Sequence, residues 1–143
     1  FLYLHGDLVY DEGILSKCMA GKGDIVLAVD RKECDEEDMK VRVTDGRFVE
    51  SSKHIALSEA YGEWIGIARF SPRGGEEMFG EINDVVREGV VDAYDTYAFT
   101  RLAGKGNDIS ICHTDGLPWV EVDFMEELNE AERIERDIRK GKA

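Results

Sequence analysis

Two aspartates follow predicted strands, at positions from which their carboxylates could bind one metal ion. Asp7 comes after a short apolar run and a glycine, and Asp123 ends the alternating run Trp119 to Asp123. In open α/β sheets the ligand crevice lies outside the carboxyl ends of the strands, so we expect both side chains to converge there. Two carboxylates together with substrate phosphates are the usual ligands of Mg²⁺. The alternative is that Asp7 belongs to a turn and Asp123 caps the last helix, roles that aspartate also favours.

The charge balance limits the partners of the chain. There are 31 acidic and 18 basic residues, which give a formal net charge of −13. This excess argues against a nucleic-acid-binding surface, because phosphate backbones are held mainly by Lys and Arg. An anionic small-molecule substrate would therefore need a metal ion or a locally placed cation.

The cysteines and the hydropathy pattern favour a cytoplasmic protein that does not enter a membrane. Cys18, Cys34 and Cys112 are widely spaced and form no Cys-x-x-Cys pattern, so neither a disulfide framework nor a zinc site is indicated. No apolar stretch approaches the ~20 residues that cross a bilayer. The chain also shows no charged leader followed by an apolar segment.

The first 30 residues predict a strand, a helix and a second strand. Phe1 to Leu4 is an apolar strand, and Asp11 is a suitable N-cap for a helix that continues to about Ala20. The continuous apolar run Ile25 to Val29 is typical of a strand buried on both faces. Strand, helix and strand at this spacing form a βαβ unit, which predicts a sheet that is at least partly parallel.

The rest of the chain predicts a hairpin, three helices and three more strands without an internal boundary, so we expect one domain over residues 1–143. The helix that follows Pro72 carries an apolar side made of Met78, Phe79, Ile82, Val85 and Val86. In chain order the segments are the hairpin Lys40–Val43 and Arg47–Glu50 around Asp45-Gly46, strand Glu63–Phe70, a helix capped by Ser71 and continuing over Glu76–Glu88, helix Val91–Ala103, strands Ile109–Cys112 and Trp119–Asp123, and an amphipathic helix from Phe124 to about Lys140.

The first residue lies inside an apolar strand that has no polar lead-in. We therefore expect residue 1 to be a cut point within a fold, with the upstream residues belonging to the same domain. Such a cut would leave apolar surface at the edge of the sheet, through which the chain could associate with another copy of itself.

The order of these blocks resembles the C-terminal two-thirds of the nucleotidyltransferase superfamily, and within it the phosphocholine cytidylyltransferases and related domains that act on phosphonates such as 2-aminoethylphosphonate. The resemblance covers nearly all of residues 1–135, and the spacing of the blocks is more specific than any single block. It implies an α/β fold with a Rossmann-like mixed sheet of the nucleotidyltransferase, or glycosyltransferase-A-like, type, truncated at its N-terminus. The blocks are Leu4-His5-Gly6-Asp7-Leu8-Val9-Tyr10-Asp11, a hairpin leading to Lys53, Gly62–Phe70 and Trp119–Asp123.

The resemblance implies a reaction and roles for three residues. Asp7 and Asp123 would bind the catalytic Mg²⁺, and Lys53 would contact an acceptor or leaving-group phosphate, although it could also be an ordinary solvated lysine. The reaction would transfer CMP from CTP to a phosphorylated or phosphonylated small alcohol or amine and release pyrophosphate. The glycine-rich phosphate loop of the family would lie upstream, so this chain alone should be inactive.

Three residues stand beside the acceptor site that the resemblance implies. Tyr61, Glu63 and Trp64 combine aromatic faces with a carboxylate, which suits an ammonium head group. Because side chains alternate along a strand, we expect only one of Glu63 and Trp64 to reach the pocket, and Trp64 is favoured over Glu63. The alternative is that Trp64 is a core residue.

Three other functions remain open. A hexose-1-phosphate nucleotidyltransferase is the nearest alternative. A metal-dependent nucleotide-sugar glycosyltransferase would call for a second aspartate two residues after Asp7, where Val9 stands. A non-catalytic domain would have no need for both Asp7 and Asp123.

Overall fold

Eight strands and four α-helices make up the computed structural model, which describes residues 1 to 141. The predicted elements are all present, with small shifts at most of their ends and a later start for the third α-helix. The strands are β1 (Leu2–Leu4), β2 (Leu8–Tyr10), β3 (Ile25–Asp30), β4 (Lys40–Thr44), β5 (Arg47–Ser51), β6 (Gly62–Phe70), β7 (Ile109–His113) and β8 (Trp119–Glu121). The helices are α1 (Glu12–Ala20), α2 (Pro72–Arg87), α3 (Thr96–Gly104) and α4 (Met125–Arg139), and a short 3₁₀ helix covers Leu57–Glu59.

Six strands form a mixed sheet in the order β5-β4-β6-β3-β7, with β1 also paired to β6. β3 pairs with β6 along its length, so β4 and β1 share the opposite side of β6, β4 at its start and β1 at its end. β1 and β3 are both antiparallel to β6 and hence run in the same direction. The two strands of the predicted βαβ unit, β1 and β3, are therefore parallel as expected, but β6 lies between them. The parallel strands that pair directly are β3 and β7.

Apolar clusters on the two faces of the sheet hold the helices. Ile25, Leu27 and Val29 of β3 belong to the cluster that includes side chains of α2 and α3. Ala28, whose side chain points to the other face, belongs to a second cluster with Ile14 and other residues of α1. The alternation along one continuously apolar strand thus builds a helix layer on each face. Within residues 1–141, no helix is long and apolar enough to cross a membrane.

The apolar side of α2 is only partly buried. Met78 and Val85 are buried, but Phe79, Ile82 and Val86 of the same apolar side remain exposed. Phe79, with 59% of its surface exposed, stacks on the equally exposed Phe1 beside β1. Among the residues that the structure describes, β1 pairs only with β6, so its other edge carries no partner.

The start of α3 differs from the sequence expectation. The helix begins at Thr96, not at Val91, because the side chain of Asp95 accepts a hydrogen bond from the Thr96 N–H and caps the helix there. Val91 is largely exposed, so the apolar residues before the cap do not mark a buried helical face.

Candidate functional site

A cavity of about 820 Å³ lies at the carboxyl end of β3 and the start of β6. Its size is within the range of about 300 to 1,000 Å³ that is usual for small-molecule sites. Its walls include residues of the loop after β3, the start of β6, strand β8 and the start of α4. This is the end of the sheet at which the sequence predicted a ligand crevice.

The two-stranded ribbon of β2 and β8 brings the metal-ligand candidates together. The strands are antiparallel, with Leu8 opposite Glu121, and the Val122 N–H donates to the Asp7 carbonyl at 2.9 Å. One ligand atom each from His5, Asp7 and Glu121 lies within 4.8 Å of the others. Asp123 follows two residues after the end of β8 and borders the cavity. The ribbon therefore gathers two carboxylates and one imidazole, and Asp123 lies close by in the chain.

The alternative roles of Asp7 and Asp123 are resolved differently by the structure. Asp7 does lie in the turn between β1 and β2. Asp123 does not cap the last helix: α4 begins at Met125 with Phe124 as its N-cap, and the Glu127 side chain accepts hydrogen bonds from the Asp123 and Phe124 N–H groups. The Asp123 carboxylate is thus left to the cavity.

Neither Glu121 nor His5 was assigned a role in the site from the sequence. Burial, together with the negative charges of Asp123 and Asp7, raises the pKa of Glu121. His5 lies between two carboxylates, with Nδ1 3.5 Å from Glu121 and Nε2 3.4 Å from Asp95. The hydrogen bond to Asp95 raises the pKa of His5. The sequence did contain a signal for Glu121. Residues two apart on a strand face the same side, so Glu121 was expected to face the same side as Asp123 in the predicted strand.

Gly66 makes room for His5 against the sheet. This glycine has a φ of +74°, and a Cβ added to it would lie 2.5 Å from Nδ1 of His5. The His5 N–H donates to the Gly66 carbonyl at 2.9 Å, and the pairing of β3 with β6 shifts register at this level. The irregular strand allows the histidine to sit edge-on to the ring of Trp64, with the centroids 4.9 Å apart.

Carboxylates outnumber cations in the cavity wall. Lys53 borders it, with Nζ 3.4 Å from Glu37 and 5.9 Å from the ring centre of Tyr94. Lys32 is the other lysine of the wall, and its Nζ lies 2.7 Å from Glu63. Such a wall favours bound cations over unaccompanied anions. Its acidic residues are Asp30, Asp35, Glu37, Asp38, Glu63, Asp95, Glu121, Asp123, Glu127 and Glu130.

A buried lysine holds the acidic loop in place. Lys40 has 1% of its surface exposed, and its Nζ donates to the carbonyls of Asp35, Glu36 and Asp38 at 2.8, 3.1 and 3.3 Å. These three bonds satisfy all the donors of the ammonium group. Lys40 thereby positions the side chains of this loop that border the cavity.

The three predicted acceptor residues have different outcomes. Glu63 and Trp64 both border the cavity, so the expectation that only one would reach it was wrong. The reason is that the cavity lies at the end of the sheet and is open to residues from both faces. Tyr61 lies outside the cavity wall, because its ring packs on the core and its hydroxyl lies 3.3 Å from Nε2 of His113.

Other aromatic side chains line the cavity instead of Tyr61. Trp119 and Phe124 come from the ribbon and the start of α4, and Tyr94 precedes α3. The Trp119 indole donates to Asp30 at 3.0 Å, and Thr114 donates to the other oxygen of Asp30. Asp30 therefore fixes β8 to the end of β3, which places an aromatic face in the wall.

Glu63 is expected to make stability depend on pH. Burial raises its pKa from 4.5 to about 7, against the opposing effect of Lys32. Between these values the folded chain keeps a proton that the unfolded chain releases, so stability falls as pH rises from about 4.5 to 7. A shift of this size corresponds to about 3 kcal/mol. We expect Glu63→Gln to remove most of this pH dependence and to gain stability relative to the wild type at pH 8.

Urea unfolding of both proteins at pH 5 and pH 8 measures this effect. Glu59→Gln is a matched control, since Glu59 is exposed and close in the chain. An equal loss of stability between pH 5 and pH 8 in the wild type and in Glu63→Gln would contradict the prediction.

Solved structures share this architecture. An inositol-1-phosphate CTP transferase from T. maritima matches 100% of the chain with a TM-score of 0.76 and 18% identity, over 57% of its own length. A proposed glucose-1-phosphate thymidylyltransferase from Bacillus anthracis, in complex with a sucrose, matches 95% of the chain with a TM-score of 0.75 and 13% identity, over 54% of its length. A nucleoside-diphosphate-sugar pyrophosphorylase from Vibrio cholerae RC9 matches 93% with a TM-score of 0.61 and 12% identity, over 57% of its length.

These similarities establish the architecture of the chain. No protein-family model and no curated protein matches the sequence. The chain spans 54 to 57% of the length of the three solved structures. At identities of 12 to 18%, they show a common fold and leave the activity to be argued from the site. The chain therefore has the fold of the nucleotidyltransferase structures, an α/β fold whose mixed sheet carries helices on both faces.

Proposed function

We propose that the chain forms the metal- and acceptor-binding part of a Mg²⁺-dependent nucleotidyltransferase, which transfers CMP from CTP to a phosphorylated or phosphonylated small alcohol or amine and releases pyrophosphate. The observation that carries this proposal is one cavity bordered by Glu121 and Asp123, by Lys53 and by several aromatic side chains, with Asp7 clustered beside Glu121. An anionic acceptor with a cationic head group finds a complement for each of its parts there.

Asp7, Glu121 and Asp123 would hold the metal ion. Their carboxylate oxygens are the ligands that Mg²⁺ prefers, and the clustering of Asp7 with Glu121 and His5 supports a cation site on the ribbon. The bound metal would neutralise phosphate charge during transfer. His5, placed between Glu121 and Asp95, would orient the Glu121 carboxylate toward that ion.

Lys53 and the aromatic wall would bind the acceptor. The Lys53 ammonium is the better partner for the acceptor phosphate or phosphonate, since its own partner Glu37 is exposed, whereas Lys32 is paired with the largely buried Glu63 and Asp38. Trp64, Trp119 and Phe124 offer faces for an ammonium group, to which each close face contributes about 0.5 to 2 kcal/mol. No covalent enzyme intermediate is required, because positioning and charge neutralisation supply catalysis of this kind.

A hexose-1-phosphate nucleotidyltransferase is the second candidate. The similar structures from Bacillus anthracis and Vibrio cholerae are a proposed glucose-1-phosphate thymidylyltransferase and a nucleoside-diphosphate-sugar pyrophosphorylase, and this observation favours it. The carboxylates of the cavity could accept hydrogen bonds from sugar hydroxyls as readily as they attract an ammonium group.

We also propose that residues 1–143 are the C-terminal part of a larger nucleotidyltransferase domain, whose nucleotide-binding part precedes them. Two observations support this: the chain spans 57% of the T. maritima structure, and β1 has a second edge without a partner among residues 1–141. A second copy of the chain could instead cover that edge. Sedimentation of the 143-residue chain tests for such association.

Pyrophosphate release tests the proposed function. A polypeptide that joins this chain to its preceding nucleotide-binding part would be assayed with CTP and Mg²⁺. Phosphocholine and 2-aminoethylphosphonate should be better acceptors than glucose-1-phosphate and inositol-1-phosphate. A preference for glucose-1-phosphate would favour the sugar-phosphate alternative, and no pyrophosphate with any acceptor would contradict both.

A further inference from the structure

Two cysteines that are far apart in the sequence lie in contact in the second apolar cluster. The Sγ atoms of Cys18 and Cys112 are 2.9 Å apart, although 94 positions separate the residues in the chain. Cys18 is fully buried on α1, Cys112 is half-buried on β7, and both thiols are free. An S–S bond measures about 2.05 Å, so the pair needs a movement of about 1 Å to close.

The surroundings make Cys112 the more reactive thiol. The hydrogen bond from Cys18 and the nearby Lys17 ammonium lower the pKa of Cys112. Burial and the negative charge of Asp38 raise the pKa of Cys34, the third cysteine of the chain. Since the thiolate is the form that attacks peroxides, Cys112 should react before Cys34.

We propose that Cys18 and Cys112 are an oxidation site, at which hydrogen peroxide converts the two thiols into a disulfide that joins α1 to β7. The Cys112 thiolate attacks one peroxide oxygen, the O–O bond breaks, and the hydroxide that leaves takes up the proton released by Cys112. Cys18 sulfur then attacks the resulting sulfenic acid, the S–S bond forms, and the S–O bond breaks. The Cys18 proton leaves with the hydroxide as water. Two thiols thus lose two electrons, and one peroxide becomes two waters.

The disulfide would join α1 to β7 within the second apolar cluster, on which the ribbon packs. Leu8 of β2 and Trp119 of β8 pack on the same cluster as Cys18. A cross-link between residues this far apart removes conformational freedom from the unfolded chain. We expect the thermal unfolding midpoint to rise by about 5 to 15 °C after oxidation.

Peptide mapping of the 143-residue chain tests the site. The protein is treated with hydrogen peroxide, its remaining thiols are alkylated, and it is digested without reductant for mass spectrometry. A linked pair of peptides containing Cys18 and Cys112, an alkylated Cys34, and a midpoint that rises and then returns with dithiothreitol are the expected results.

Two variants separate the pair from general oxidation. Cys34→Ser should keep both the link and the rise in midpoint, whereas Cys112→Ser should abolish both. If Cys112→Ser does not fold, the map of the wild-type chain still decides the question. Oxidation of Cys34 ahead of the pair, or over-oxidation of Cys112 to a sulfinic acid without a link, would overturn the proposal.

Discussion

Replacing Asp7 with asparagine is expected to lower nucleotidyl transfer at least about 100-fold in a polypeptide that contains this chain and the nucleotide-binding part that we propose precedes it. The substitution removes one negative charge from the cluster of His5, Asp7 and Glu121, at which we propose that Mg²⁺ binds. Asp7 is exposed, so its replacement should change the free energy of unfolding by no more than about 0.5 kcal/mol. Pyrophosphate release measures the first effect, and urea unfolding measures the second.

A matched control is available on the hairpin of β4 and β5. Asp45 is also exposed and has a φ of +51°, which asparagine adopts readily. Asp45→Asn should leave both turnover and metal affinity unchanged. With the 143-residue chain alone, Mn²⁺ binding followed by electron paramagnetic resonance should weaken in Asp7→Asn and not in Asp45→Asn. Full turnover in Asp7→Asn would rule out the proposed metal site.

The same assays distinguish Glu121, the last residue of β8, from Asp123, which follows the strand. The sequence resemblance implied Asp123 as the partner of Asp7, whereas the geometry gathers Glu121 with Asp7 and His5. If Glu121 binds the ion directly, Glu121→Gln should weaken Mn²⁺ binding at least as much as Asp123→Asn. An effect confined to Asp123→Asn would favour the pair that the sequence implied.

Local signals were enough to predict most of the fold. β3 is an unbroken apolar run, and the Asp45-Gly46 turn has two positive φ angles that suit a tight hairpin. Ser71 caps α2 by accepting the Gly74 N–H, with Pro72 in the first turn. Each of these features depends on residues within a few positions of each other, so a single sequence can reveal it.

Long-range contacts explain what the sequence did not reveal. The pairing of Leu8 with Glu121 brings Asp7 close to Glu121, although more than half of the chain separates them in the sequence. The bonds from Lys40 to three carbonyls, and the contact of Cys18 with Cys112, leave no periodic pattern in the sequence. The expectation that Tyr61 stands beside the acceptor site differs from its observed position for a related reason. Neither its packing on the core nor its contact with His113 can be inferred from the residues next to it in the sequence.

Trp64 shows why a residue can border a site and still be a poor place to test it. It has 3% of its surface exposed, donates from its indole to the Ile67 carbonyl at 3.1 Å, and packs edge-on against Phe99. The sequence offered core and acceptor roles for Trp64 as alternatives. Its burial supports the core role, and its position at the cavity wall keeps the acceptor role open.

We therefore expect Trp64→Ala to destabilise the chain by about 3 to 5 kcal/mol, as is typical of a buried tryptophan truncated to alanine. The cause is the lost packing on Phe99 and the void left in the core, and urea unfolding of the 143-residue chain measures it.

Phe124→Ala is the matched variant, because Phe124 borders the same ligand cavity with 67% of its surface exposed. In the longer nucleotidyltransferase that we propose, Phe124→Ala should keep stability and raise KM for phosphocholine several-fold more than KM for CTP, since an ammonium group loses one aromatic face. A stable Trp64→Ala protein would refute the core role, and an effect of Phe124→Ala on CTP alone would refute an acceptor site at this wall.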